Sequence, residues 1–237
     1  KGSAYFYIDL KKKDPPVLLT GGDLRLGTPL KAKEAPAIIY TKEIFGIFPD
    51  YHISDLSFTY NKRLTDANPG QKEFLWGSAE LVKWLSDDGQ EIEGLLFKPE
   101  NFDASKKYPM IANFYERSSS GLYNYRIPKA HRSTIDYHYY TSNGYLVFNP
   151  DVIYKNGFPG QSAYNCVMPG IMSLIEKGFV DEKRIGAQGH SWGGYQVAYL
   201  ATRTDLFAAI ESGAPVVNMY SAYGGIRWET GLNRSFQ

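Results

Sequence analysis

Gly189-His190-Ser191-Trp192-Gly193 has the spacing G-x-S-x-G, and Gly194 extends it. The chemistry this spacing suits is acyl transfer. A serine on a tight, strained turn between a strand and a helix has its hydroxyl presented at the edge of a sheet. Glycines flank it because a Cβ there would strike the adjoining strand or helix. The helix that follows offers free N–H groups and a positive partial charge beside the reacting oxygen. Both flanks have the required texture, with Ile185-Gly186-Ala187-Gln188 reading as a strand and Tyr195 to Thr202 as a helical stretch. Ser191 is therefore predicted to be a nucleophile. The plain alternative is a Gly-rich turn with no chemical role, which leaves the flanking pattern unexplained.

A serine hydroxyl is a weak nucleophile and needs a positioned base. Where this elbow operates in α/β-hydrolases, an acid and then a histidine follow the serine along the chain. The four histidines here are His52, His131, His138 and His190, and none follows Ser191. His190 adjoins the nucleophile, but its side chain should leave the turn in another direction, so it reads as a packing or loop-anchoring residue. The downstream acids are Asp205, Glu211 and Glu229, and Asp205 comes only 14 residues after Ser191. That is too early for a triad acid. The base and its acid partner are thus expected to be absent from this chain, which alone should be inactive. His131, Asp136 and His138 could suggest a metal site. Their spacing gives no three- or four-residue helical return, so a structural role is predicted, with no metal and no cofactor.

Two textures position these residues. Up to about residue 85, short β-rich runs alternate with turns: Tyr5-Phe6-Tyr7-Ile8, Val17-Leu18-Leu19-Thr20, Ala37-Ile38-Ile39-Tyr40-Thr41 and Ser57-Phe58-Thr59-Tyr60. Such spacing indicates all-β structure, too little of it for a closed sheet. From about residue 80 the pattern becomes α/β. Glu80–Leu85 and Glu91–Phe97 flank Asp88-Gly89 as a hairpin. Tyr108 to Tyr115 and Tyr145 to Asn149 are nearly continuous apolar runs, as doubly buried strands should be. Val167, Ile171, Leu174 and Ile175 form a helical stripe closed by Gly178, and Phe207 to Glu211 reads as a further strand. Strands alternating with helices imply a parallel-rich sheet.

Composition narrows the function classes. There are 26 Lys and Arg against 25 Asp and Glu in 237 residues, a formal charge of +1. A sequence-independent nucleic-acid binder or a polybasic membrane-surface protein needs a basic surplus. No run of about 18 apolar residues is present, so no membrane span is predicted. The length suits one large domain, or one domain and part of another. Apolar residues are 43% and aromatic residues 15%, with 19 Tyr, which predicts a folded core and ring-lined clefts. Cys166 is the single cysteine, so there is no internal disulfide framework. It falls in the apolar helical stretch and reads as a small buried hydrophobe. The chain opens on Lys1 without a signal-peptide pattern, and the compartment is not legible.

Several motifs in order resemble the prolyl oligopeptidase family of serine peptidases. Arg63-Leu64-Thr65-Asp66-Ala67-Asn68-Pro69 is similar to the segment leaving a last propeller blade, and Trp84 to Gly94 to an entry hairpin. Lys107-Tyr108-Pro109-Met110 resembles the strand leading to the family's oxyanion Tyr. Phe179-Val180-Asp181 and Arg184-Ile185-Gly186 resemble the approach to the elbow, and Ser212-Gly213-Ala214-Pro215-Val216 the loop after the next strand. The resemblance implies residues 1–79 as the C-terminal part of a β-propeller with its linker, and 80–237 as an incomplete α/β-hydrolase peptidase domain. It implies Ser191 as nucleophile, with the Trp192 N–H and the Tyr115 hydroxyl as oxyanion donors. Val216, Met219, Tyr220 and Tyr223 fall where the family lines its specificity pocket; ordinary loop packing is the other reading.

Glu116-Arg117-Ser118-Ser119 departs from the Gly-rich or Gly-Pro sequence that often follows the family's Tyr. The implied activity is cleavage of peptides, after proline or small residues, through an acyl-enzyme. The alternatives are an esterase or acylaminoacyl hydrolase on the same fold, and a non-catalytic binding module. The chain ends 46 residues after Ser191, before the last strands of such a sheet, so a homo-oligomer or a covering chain is expected at the open edge.

Overall fold

The computed structural model describes residues 2–131 and 133–232. The chain end at Gln237, on which the expectation of a covering chain rests, lies outside them. The chain divides into two units, Lys1–Ser78 with Ser120–Ile127, and Ala79–Ser119 with Pro128–Gln237.

The first unit is all β. β1 (Ala4–Tyr7) pairs antiparallel with β2 (Val17–Gly21). A second sheet holds β3 (Arg25–Leu26), β4 (Leu30–Lys31), β5 (Ala37–Ile44), β6 (Ile47–Asp55) and β7 (Lys62–Arg63), in the order β3-β5-β6-β7 with β4 also on β5. The Arg63-to-Pro69 segment is fixed by a single buried carboxylate. Asp50 accepts from Thr65 Oγ1 at 2.6 Å, the Ala67 N–H at 2.9 Å and Arg63 Nε at 3.0 Å. Burial alone would raise its pKa, but these donors and the Arg63 charge hold it below the ordinary carboxylate range.

Ser57-Phe58-Thr59-Tyr60, expected as a strand, is a turn. Its β-favouring residues are overridden by Asp55, whose carboxylate accepts the Thr59 N–H at 2.8 Å and the Thr59 hydroxyl. Phe58 stands at φ 55°, which a strand cannot contain. The strand is β6, just upstream.

The second unit is α/β. Its strands are β8 (Ser78–Leu85), β9 (Glu91–Lys98), β10 (Tyr108–Asn113), β11 (Leu146–Pro150), β12 (Val180–His190) and β13 (Ala209–Gly213), and its helices α1 (Tyr137–Ser142), α2 (Pro159–Glu176), α3 (Trp192–Ala201) and α4 (Met219–Tyr223). The six-stranded sheet has the order β13-β12-β10-β11-β9-β8. β10, β11, β12 and β13 run parallel, and β9 joins β11 antiparallel. β8 and β9 are the expected hairpin, with Gly89 at φ 78° in its turn. The chain steps from β10 to β11 on one side, then crosses back over β10 to β12. The strand order therefore reverses about β10, and in open α/β sheets ligands bind at the carboxyl ends of strands beside such a reversal.

α2 shows how the sequence locks this arrangement. Pro159 begins it, and Ala163, Cys166, Val167, Gly170, Ile171 and Leu174 make one buried stripe against the sheet. Pro169 has no N–H to give to the Asn165 carbonyl four residues back. That carbonyl instead accepts the Asp87 N–H of the β8–β9 turn at 3.1 Å. One residue on, the Cys166 carbonyl accepts Trp84 Nε1 at 2.7 Å. The helix and hairpin are thus tied through two helix carbonyls, the first of which the proline leaves available. Cys166 is buried as expected, and burial pushes its thiol pKa up.

Candidate active site

β12 ends at His190, and α3 begins at Trp192, so Ser191 alone turns the chain from strand to helix. It does so at φ 59° and ψ −112°. A non-glycine residue held there is strained, and such strain persists only where the surroundings over-determine it. The surroundings are identifiable. The Ser191 N–H donates to the Gly213 carbonyl at 2.8 Å, and its carbonyl accepts the Tyr195 N–H at 3.1 Å and the Val216 N–H at 3.4 Å. Ser191 is the N-cap of α3, yet its side chain makes no capping hydrogen bond. The hydroxyl is thus not spent on the helix end, where a serine would ordinarily place it.

The three glycines are required by close backbone approach. A Cβ on Gly189 would lie 2.3 Å from the Gly193 carbonyl oxygen, and one on Gly194 2.7 Å from that of Gly213. A Cβ on Gly193 would lie 2.5 Å from the Phe114 carbonyl oxygen and 3.5 Å from Cδ2 of the Tyr115 ring. The last contact brings Tyr115 to the elbow. β10 and β12 are neighbours in parallel register, Asn113 opposite Gln188, so the residues leaving their carboxyl ends emerge side by side. Tyr115 is 48% exposed, with its ring available at the surface. A part-exposed serine on a strained turn, a helix N-terminus behind it and a phenol beside it place a nucleophile-type group near hydrogen-bond donors; acyl transfer would need, besides these, a base to take the serine's proton.

Beneath the site lies a buried polar layer that sequence reasoning missed. Asn113, Asn149 and Gln188 sit at the ends of three adjacent strands, each nearly inaccessible. Asn113 donates to the Gln188 side chain and accepts from the Tyr137 hydroxyl at 2.7 Å, while Asn149 donates to the Asn113 carbonyl. The loop that follows Tyr115 is held by Asp151. Its Oδ1 accepts the Ser118 N–H at 2.6 Å and the Ser119 N–H at 2.9 Å, and its Oδ2 accepts the Ser119 hydroxyl at 2.5 Å. Ser118 also donates to Asn149. Carboxylate and serines thus order the loop without glycine. The available signal was polar: Asn113, Asn149 and Gln188 interrupt or end otherwise apolar strand runs.

The remaining expected residues are less concentrated. The Val216 backbone joins Ser191 directly, and Met219 opens α4 half-buried. Tyr220 and Tyr223 are 94% and 80% exposed, and Ala222 is the buried residue of that helix. His190 lies toward β13, its Nδ1 3.1 Å from where a Cβ on Gly213 would stand. Asp136 caps α1 by accepting the Tyr139 N–H at 3.2 Å, and His131 Nδ1 accepts the Ser133 N–H at 3.0 Å. Among the described residues no helix is long and apolar enough to cross a membrane.

The family profile described as "Prolyl oligopeptidase family" matches residues 155–233, which contain the elbow, α3, β13 and α4. That match spans a third of the chain, and this segment is similar to the prolyl oligopeptidase family. Among curated relatives the chain is 24% identical over 176 residues to "Uncharacterized peptidase YuxL" of Bacillus subtilis, covering 69% of this chain and 26% of that protein. It is 28% identical over 150 residues to human "Dipeptidyl peptidase 8", covering 58% of this chain and 16% of the relative. The crystal structure of Porphyromonas gingivalis dipeptidyl peptidase 4 superimposes with a TM-score of 0.67 at 20% identity, over 91% of this chain and 32% of that one. The chain thus has the fold of the corresponding part of that structure, and spans about a quarter or less of these curated relatives.

Proposed function

We propose that the full-length protein is a serine peptidase that cleaves peptides through an acyl-enzyme on Ser191. The observation that carries this reading is the elbow: a serine at φ 59°, uncommitted to capping, with Tyr115 against the glycine two residues on. In the proposed reaction the Ser191 Oγ attacks the scissile carbonyl while a base takes its proton. The carbonyl oxygen becomes negative and is met by the Trp192 N–H and the Tyr115 hydroxyl. The tetrahedral species collapses, the base returns the proton to the leaving amine, and water repeats the sequence to free the acid. The base and its acid partner come from chain outside these 237 residues.

Residues 1–79 are read as the end of a β-propeller with its linker, and 80–237 as part of the hydrolase domain. The all-β first unit and the α/β second unit support that division. A preference for proline or small residues is supported by the apolar and aromatic character of Val216, Met219, Tyr220 and Tyr223 after β13.

The direct test is a fluorophosphonate probe applied to the folded full-length protein. Covalent labelling at Ser191 is expected, and its absence would overturn the reading. A proline-containing dipeptide anilide should turn over faster than a simple ester; the reverse order would favour an esterase. Tyr115→Phe is expected to lower kcat by about 100- to 1,000-fold, the usual consequence of losing one oxyanion donor, with KM little changed. The 237-residue chain by itself should show no Ser191-dependent hydrolysis of a peptide ester, because no histidine follows the nucleophile.

A further inference from the structure

Tyr154 and Gln196 lie in neither the elbow nor the strand leading to Tyr115, yet their side chains converge between the two. Tyr154 belongs to the segment joining β11 to α2, and Gln196 to the second turn of α3. The Tyr154 hydroxyl donates to the Tyr115 backbone carbonyl at 2.9 Å. Gln196 Nε2 donates to the same carbonyl at 2.8 Å and also to the Tyr154 hydroxyl. Trp192 Nε1 donates to that hydroxyl at 3.1 Å.

The donors and acceptors balance. A phenol has one hydrogen and two lone pairs, and Tyr154 gives the first to Tyr115 while taking bonds from Trp192 and Gln196. The primary amide of Gln196 places one hydrogen on each acceptor. The Tyr115 carbonyl, left without a ladder partner where β10 ends, receives both donors. Gln196 is 0% exposed, and its Oε1 has no hydrogen-bond partner among the described residues. The Oε1 is thus without a partner while both amide hydrogens of Gln196 are used. Burial also pushes the Tyr154 pKa well above the ordinary phenol range, so the group stays a donor throughout the pH range in which such an enzyme would work.

We propose that Tyr154, with Gln196, is a positioning residue that fixes Tyr115 relative to the start of α3, and so sets the spacing of the two oxyanion donors. This rests on the reading of Ser191 and Tyr115 given above. One donor is the backbone N–H of Trp192, whose ring nitrogen is tied to the Tyr154 hydroxyl. The other is the hydroxyl of Tyr115, whose main chain is tied to the same oxygen. A single phenol therefore joins both sides of the site. Its effect acts through Tyr115, since Tyr154 spends its own hydrogen on a backbone carbonyl and has none for a substrate.

Tyr154→Phe keeps the ring and removes the hub. In the full-length protein it is expected to lower kcat about 10- to 100-fold with KM little changed, as a small misplacement of a catalytic group does. Thermal unfolding should remain a single transition. The deciding measurement is a double-mutant cycle with Tyr115→Phe. If Tyr154 acts through the Tyr115 hydroxyl, Tyr154→Phe added to Tyr115→Phe should change kcat less than twofold, on the reasoning that neighbours acting as a unit are non-additive. Gln196→Met, which removes the second donor, should behave alike. Wild-type protein that labels at Ser191 and a Tyr154→Phe variant with unchanged kcat would overturn this inference and leave the peptidase reading standing. Fully multiplicative losses in the cycle would overturn it equally. Wild-type protein that fails to label would overturn the peptidase reading and this inference with it.

Discussion

Ser191→Ala in the full-length protein is expected to abolish fluorophosphonate labelling and to lower kcat by about a million-fold, the scale seen when a catalytic serine is removed. The substitution deletes one oxygen. It retains a Cβ, so the backbone at φ 59° carries the same strain before and after. The Ser191 side chain makes no capping bond, so α3 loses no partner at its N-terminus. The variant should therefore fold as the parent does, and circular dichroism and the unfolding midpoint should be unchanged. Residual hydrolysis above the uncatalysed rate would come from donors that still polarise a bound carbonyl. Turnover within tenfold of wild type would remove Ser191 from the mechanism.

Gly193→Ala is expected to disrupt the site and the fold together. Its Cβ would stand 2.5 Å from the Phe114 carbonyl oxygen, a separation that real Cβ atoms essentially never show. The obstacle is backbone at the end of a central strand, not the tip of a flexible side chain. Relief requires α3 to withdraw from β10, which would pull the Ser191 turn away from Tyr115. A destabilisation of about 3 kcal/mol or more is the expected scale for overpacking at such a contact. Chemical denaturation measures it, and Ser191 labelling should fall in the fraction that still folds. Gly46→Ala is the matched control. Nothing lies within 4 Å of a Cβ there, so a change within about 1 kcal/mol of zero is expected. Equal effects at the two positions would show that close approach is not what Gly193 serves.

The elbow was legible because its requirements are local. Strand, turn and helix are adjacent in the chain, and small residues at fixed offsets mark close approach before any coordinates exist. The β8–β9 hairpin, the apolar strands and the Cys166 stripe were legible for the same reason, since their signals repeat with the period of the element. Ser57 to Tyr60 misled because its aromatic and hydroxyl residues favour strands in general, while one upstream carboxylate decided the matter. Tyr154, Gln196 and Asp151 were not legible at all. Each acts on backbone groups 32 to 81 positions away, and no spacing rule reaches that far. Tyr115 is singled out only through resemblance, because nothing in its sequence neighbourhood separates it from 18 other tyrosines among the 19.

The Ser191 N–H held by the Gly213 carbonyl, and Gly193 seated on the carbonyl of Phe114, also bear on the order of folding. One partner lies 22 positions after the nucleophile, the other 79 positions before the glycine it meets. Contacts of such separation must await loop closure, which places them late along a folding route. Local helix and turn formation cannot hold the elbow by themselves, because its positive φ is unfavourable until both partners are in place. During synthesis, a ribosome that has released Ser191 but not yet Gly213 carries a serine of ordinary reactivity. On the proposed role of Ser191, reactivity requires both the closed sheet and the base, so covalent capture of Ser191 would mark completed folding as well as chemistry.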